Sequence, residues 1–327
     1  MMKRRWIATA LVTAALTPFA WAQGQPGAAK VTRMVVPFPP GGATDVVARL
    51  LAKRMSEELG QQVIVDNRPG AGGGLGTGVV AKSEPDGNTL VFTVAGPIVA
   101  VPHVNKNIGY RMQDLAAVAM VFRSPFLLAV AADSPYRSLA ELVAAGKAGP
   151  GRKPAAYGSS GIGALSHLGS EMFNLAAGTS FVHVPYKGTP GTLQALLSGD
   201  IAWALVSVND VRPQIEGGKA RPLAVLSQKR TPMYPNVPAM AETGMGKLDL
   251  DLWFGLFAPA KIAPATLDRL AQTVRKIIAE PEFVGRLRDL GGSTPTDANT
   301  PASIMVNLER ESAEFQKIVQ TLGIKGE

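Results

Sequence analysis

Residues 31–59 read VTRMVVPFPPGGATDVVARLLAKRMSEEL, and this stretch decides the architecture. Val31–Val36 is rich in β-branched residues and predicts a strand. Pro37-Phe38-Pro39-Pro40-Gly41-Gly42 follows, where three prolines and two glycines forbid regular structure. Val46, Val47, Leu50, Leu51 and Leu59 then recur at helical spacing, with Gly60 as the stop and Thr44 or Asp45 expected as the N-terminal cap. Strand, glycine-bearing turn and helix make the unit of an α/β fold. The unit leaves the helix's first N–H groups unpaired at the carboxyl end of the strand, where such folds bind ligands.

Working outward, the unit repeats. Val63–Val65 leads through Asn67–Gly74 into a short helix at Val79 and Val80, and Thr89–Thr93 is a further strand. Ala117–Phe122 and Phe126–Ala131 read as two strands parted by Ser124-Pro125. A second block follows: helix Leu139–Ala145, strand Ala155–Tyr157, loop Gly158-Ser159-Ser160-Gly161 and helix Ala164–Ala177. Strand Phe181–Val184, helix Thr192–Leu197, strand Ile201–Val206, a helix near Val211–Ile215 and strand Leu223–Leu226 complete it. Trp253–Phe257 reads as the last strand, and helices start at Pro264, Pro281 and Pro301. The layout implies two α/β lobes: residues 30–124 with 253–327, and an inserted lobe of residues 125–252. Strands near Phe126 and Trp253 would cross between them as hinges and leave an interlobe cleft.

The first residues set the compartment. Lys3, Arg4 and Arg5 precede an uncharged, mostly apolar stretch, Trp6–Leu16, and Ala20-Trp21-Ala22 offers small residues for cleavage. This order predicts a secretory signal with the mature chain starting at Gln23, in the periplasm. A membrane anchor would need roughly 20 apolar residues. The sequence has no cysteine, so it has neither a disulfide nor a thiol nucleophile. Net charge is +8, or +5 without the three basic residues of the first 22. Lys and Arg are dispersed, which does not make a nucleic-acid footprint.

Candidate chemistry is sparse. Gly76-Thr77-Gly78-Val79-Val80-Ala81 fits a dinucleotide fingerprint, but it follows a long loop and lacks the downstream acid that a ribose needs. Gly158-Ser159-Ser160-Gly161 misses the spacing of a nucleophile elbow. His103, His167 and His183 are the only histidines; the latter two, on a helix and in a strand, are expected to be packed or surface residues and not a catalytic base. Asp249 and Asp251 alternate on a strand-like segment without further ligands. Neither a metal, a cofactor nor a catalytic constellation is expected.

Five motifs occur in order: Val36–Asp45, Asp66–Gly73, Tyr157–Gly161 with Ser166-His167-Leu168, Val182–Gly188, and Trp253–Pro259. Together they resemble the Bug-type receptors of tripartite tricarboxylate transporters over essentially the whole mature chain. The resemblance implies a type II periplasmic-binding-protein fold, a small carboxylate in the cleft, and a membrane partner with a large and a small subunit. It places Phe38, Gly41, Gly42, Ala43, Thr44 and Asp45 on one wall, with Ser159, Ser160 and Gly161 opposite. Tyr186, from the fourth motif, joins them. At several positions the sequence departs from the family. Val206 and Ser207 stand where the family often has Asp-Asn, Ala164 where Ser or Thr is expected, and Val94 and Ala95 open a stretch that is often polar. These changes predict a ligand less polar than citrate or a zwitterionic amino acid. A monomer is expected. A periplasmic enzyme on the same frame, or a sensor for a membrane kinase, remain the rival readings.

Overall fold

The computed structural model describes residues 31–147, 155–246, 248, 250–295 and 299–324. The expected signal and Asp249 lie outside the described residues. Strands β1 (Thr32–Val36), β2 (Val63–Asn67), β3 (Thr89–Val94), β4 (Leu115–Ala131) and β5 (Ala156–Ser159) come first. Strands β6 (Val182–Pro185), β7 (Trp203–Ser207), β8 (Ala220–Val225) and β9 (Asp251–Pro259) follow. Helices α1 (Ala43–Leu59), α2 (Gly74–Ala81), α3 (Val101–Val104), α4 (Leu139–Gly146) and α5 (Leu165–Ala177) lie between them. The rest are α6 (Thr189–Ser198), α7 (Val208–Glu216), α8 (Pro264–Ile278), α9 (Pro281–Asp289) and α10 (Pro301–Leu322).

The strands form one sheet ordered β2-β1-β3-β9-β4-β7-β5-β6, with β8 also on β4. β4 is the feature that makes two lobes from it. Leu115–Pro125 pairs antiparallel with β9, while Phe126–Ala131 pairs antiparallel with β7 and β8. The two strands expected on either side of Ser124-Pro125 are therefore one strand of 17 residues. Proline has no N–H for a ladder and normally interrupts one. Here Pro125 faces Asp251, at the end of β9, and Phe126 opens the pairing with β7. The missing donor falls at the changeover between partners.

Parallel strands β1, β2 and β3 carry α1 and α2 in the first lobe, and parallel β5, β6 and β7 carry α5 and α6 in the second. One buried apolar cluster runs from Met34 through Phe254 to Val319. A smaller one, around Leu127, Val206 and Val211, lies within the second lobe. α1 buries Val47, Ala48, Leu51 and Met55 and stops at Gly60, which is left-handed at φ 64°. Its N-cap is Gly42 and not Thr44 or Asp45. The Asp45 carboxylate instead folds back to accept the Gly41 N–H at 3.0 Å.

The fingerprint-like glycines sit inside α2. A Cβ on Gly76 would come within 2.6 Å of the Arg68 carbonyl oxygen and 2.9 Å of Pro37 Cα. Close packing of α2 on the first loop explains that glycine.

Candidate ligand-binding cleft

Two adjoining cavities open between the lobes, of about 50 and about 260 Å³, sharing Phe38, Pro39 and Ser160 on their walls. The inner chamber is where helices point. It is lined by the first residues of α1 (Ala43, Thr44), of α5 (Leu165, Ser166), of α6 (Thr189, Pro190) and by Asp210 of α7. Each N-terminus brings unpaired N–H donors and roughly half a positive charge. Among the described residues no Lys or Arg side chain lines this chamber, and Asp210 is its one ionisable group. The lobes touch around it: Ala43 N donates to Asp210 Oδ1 at 2.8 Å. At the outer chamber, a Cβ on Gly72 (φ 61°) would lie 2.5 Å from the Ile162 carbonyl, so only glycine permits that approach.

The first wall is held by polar side chains. Asp45 accepts from Gly41 N, from Arg49 Nε at 3.0 Å and from Asn67 Nδ2 at 2.9 Å. Asn67 also donates to the Phe38 carbonyl at 3.1 Å, which fixes the loop from β2. Burial pushes the Asp45 carboxyl up, but the bonds from Arg49, Gly41 and Asn67 outweigh it and hold it below its usual value.

The second wall rests on rings. Ser159 Oγ and His183 Nε2 are 2.7 Å apart, and Gly163 N donates to His167 Nδ1 at 3.2 Å. The two imidazoles stack at 3.8 Å, His183 stacks on Tyr157, and Tyr157 stacks on Trp203, each of these last two at 5.0 Å. Burial, with the neighbouring His183, pushes His167 down to about 3; burial pushes His183 down to about 4. Both are therefore neutral near pH 7. Ser159 is fully buried, out of reach as a nucleophile. Ser160 keeps its backbone N–H and hydroxyl on Ser166 Oγ, at 3.1 and 3.0 Å.

Of the residues expected from sequence, the inner chamber gathers Phe38, Gly42, Ala43, Thr44, Val94, Ser160, Ala164, Val206 and Ser207. Gly161 and Tyr186 line the outer one. Gly41, Asp45, Ala95 and Ser159 stand behind the walls, as supports and not as lining. Asp210 went unrecognised in the sequence, and it overturns one expectation. The acid thought lost at Val206-Ser207 is present a helical turn later, because α7 starts directly at Val208 and carries Asp210 back to the cleft. Ser207 Oγ donates to Asp210 Oδ2 at 2.6 Å. Burial pushes the Asp210 carboxyl up, opposed by bonds from Ser207, Ala43 N and Thr189. The Ser207-x-x-Asp210 spacing, a helix-start signature, was the available signal. The premise for a ligand that avoids ammonium groups therefore fails.

Two α/β lobes on a shared strand, with helix N-termini of both aimed at one cavity, define a binding protein that grips a small solute between lobes. Residues 47–324 match the tripartite tricarboxylate transporter family receptors (TctC), and the chain belongs to that family. It is 35% identical over 299 residues to Protein BugT of Bordetella pertussis, covering 91% of this chain and 90% of that one. The structure superimposes on periplasmic binding protein BugD with a TM-score of 0.85 at 31% identity, covering 91% of this chain and 99% of BugD. It superimposes on the adipate-bound Rpa4515 of R. palustris with a TM-score of 0.84 at 32% identity, covering 90% and 97%. Among the described residues no helix is long and apolar enough to cross a membrane, and no group of three metal-ligating side chains occurs.

Proposed function

We propose that this receptor is exported to the periplasm, loses its first 22 residues, and works there as a monomer that captures a small organic carboxylate. It passes the liganded form to a membrane carrier with a large and a small subunit. The observation that carries the reading is the convergence of helix N-termini from both lobes on one chamber that, among the described residues, no Lys or Arg lines. Backbone N–H groups at helix starts bind carboxylates without a basic side chain. Ser160 and Thr44 add hydroxyls from opposite lobes. The adipate carried by Rpa4515, a relative with this fold, supports an organic acid as the ligand class.

The lobes, residues 30–124 with 253–327 and residues 125–252, close about the changeover in β4 and the chain leading into β9. Ligand contacts with both lobes favour the closed state, and only that difference in affinity drives closure. The test is a thermal-shift screen of the mature protein against carboxylates, amino acids, nucleotides and esters. Binding to the folded state raises the melting temperature. A shift from organic acids is expected. A shift from a nucleotide or ester alone would sink the carboxylate reading.

A further inference from the structure

Asp210 sits among the very groups that attract a carboxylate. It takes the Ala43 N–H at the start of α1 and the hydroxyl of Ser207 at the start of α7, and a Thr189 side-chain bond from α6. Three donated bonds hold Asp210 as an acceptor against the pull of burial; a carboxylate has about four lone-pair sites, so about one remains open. The charge count is equally tight. Four helix N-termini supply roughly two units of positive charge, Asp210 takes one, and about one is left for the ligand. A second ligand carboxylate in the inner chamber would face Asp210 with no basic side chain to offset it. Lys187, exposed, lines the outer chamber instead. At about 50 Å³ the inner chamber holds a carboxylate and its adjoining carbon, the room of roughly four waters at 10–15 Å³ each.

We propose that Asp210 is the specificity-determining residue of the inner chamber, selecting a ligand whose carboxylate-bearing carbon also carries a hydrogen-bond donor, ammonium or hydroxyl, over one bearing a second carboxylate there. This rests on the carboxylate-receptor reading above. The donor fills the open lone pair of Asp210, while the carboxylate takes the remaining N–H groups of α1 and α5. The tail extends past Ser160 into the outer chamber. Val206, Leu205 and Phe126, on the inner wall, offer no competing polar group.

The test is calorimetry on wild type and Asp210→Asn with heads matched on three- and six-carbon chains: unsubstituted, 2-amino, 2-hydroxy and 2-carboxy acids. Asparagine keeps an acceptor for the Ala43 N–H while it removes the charge. Wild type is expected to bind the 2-amino or 2-hydroxy acid at least tenfold more tightly than the 2-carboxy acid. Asp210→Asn is expected to narrow that ratio by tenfold or more. Equal binding of the 2-carboxy acid by wild type, or a ratio unchanged by the variant, overturns the proposal. The wild-type ranking stands whether or not the variant folds, and Asp210→Ser repeats the comparison with a smaller side chain. If no head group binds wild type, the carboxylate reading itself falls and this proposal with it. Weak binding confined to the 2-carboxy series leaves the carboxylate reading intact.

Discussion

The two walls of the cleft use the same local device, a glycine-bearing turn from a strand into a helix, but they are held by opposite means. The loop before α1 hangs on a polar net of Asp45, Arg49 and Asn67, in which the Arg49 side chain is 54% exposed. The loop before α5 lies on four stacked rings, His167, His183, Tyr157 and Trp203, with Trp203 and Tyr157 fully buried. The pair meets solvent on the Arg49 side alone, Asp45 being buried, and that open side screens it in part. A buried, close-packed stack loses contacts outright when a ring is removed. The second wall should therefore be the stiffer and the more costly to alter.

The largest expected effect is that of Trp203→Ala, which should cost about 3–5 kcal/mol in denaturant unfolding. A loss below about 1 kcal/mol would mean that the rings do not hold the wall. Acid should come next. Buried His167 and His183 stay neutral in the folded protein, down to about 3 and about 4, whereas unfolded histidine titrates at about 6.5. Unfolding takes up protons in that range. Their contribution is full above pH 6.5 and falls as the pH drops towards 4, by about 1.4 kcal/mol per pH unit for each histidine. Asp45 is lowered as well, with the same sign, but its contribution is lost only as the pH drops below 3.8. Melting temperatures of wild type and His183→Gln from pH 7 to 4.5 check this by difference. The difference matters because Glu311, pushed up to about 7 by burial, acts with the opposite sign over the same range. Parallel profiles would show that His183 is not the sensor.

Ser160→Ala should leave the fold intact and weaken ligand binding by up to tenfold, the range of one lost hydrogen bond; unchanged affinity in calorimetry would remove Ser160 from the site. The smallest effect belongs to Asp45→Asn, at most about 1 kcal/mol of stability, fading further in high salt. If it destabilises more than Trp203→Ala, the contrast between the walls is reversed.

Both loops were legible in the sequence because proline and glycine punctuate them and apolar periodicity changes on either side. The rings behind the second loop were not: His167 comes from a helix and His183 and Trp203 from strands, and nothing local links them. Ser124-Pro125 read as an interruption because proline's missing N–H is a local fact, while the exchange of partner strands around it is a tertiary one. Asp210 escaped for a similar reason. A strand that passes into a helix without a loop shifts the cleft-facing position by one turn, and a reading tied to the strand's end looks at Val206 and Ser207 instead.

The place of β9 in the sheet has a consequence for biosynthesis. It lies between β3 and β4, yet it is the last strand in the chain. Until residues 251–259 have been made, the first lobe has a gap in the middle of its sheet, and the long-range pairing that fills it must wait. Three quarters of the polypeptide thus leave the ribosome before the first domain can finish, and until then the facing edges of β3 and β4 stand without the strand that joins them.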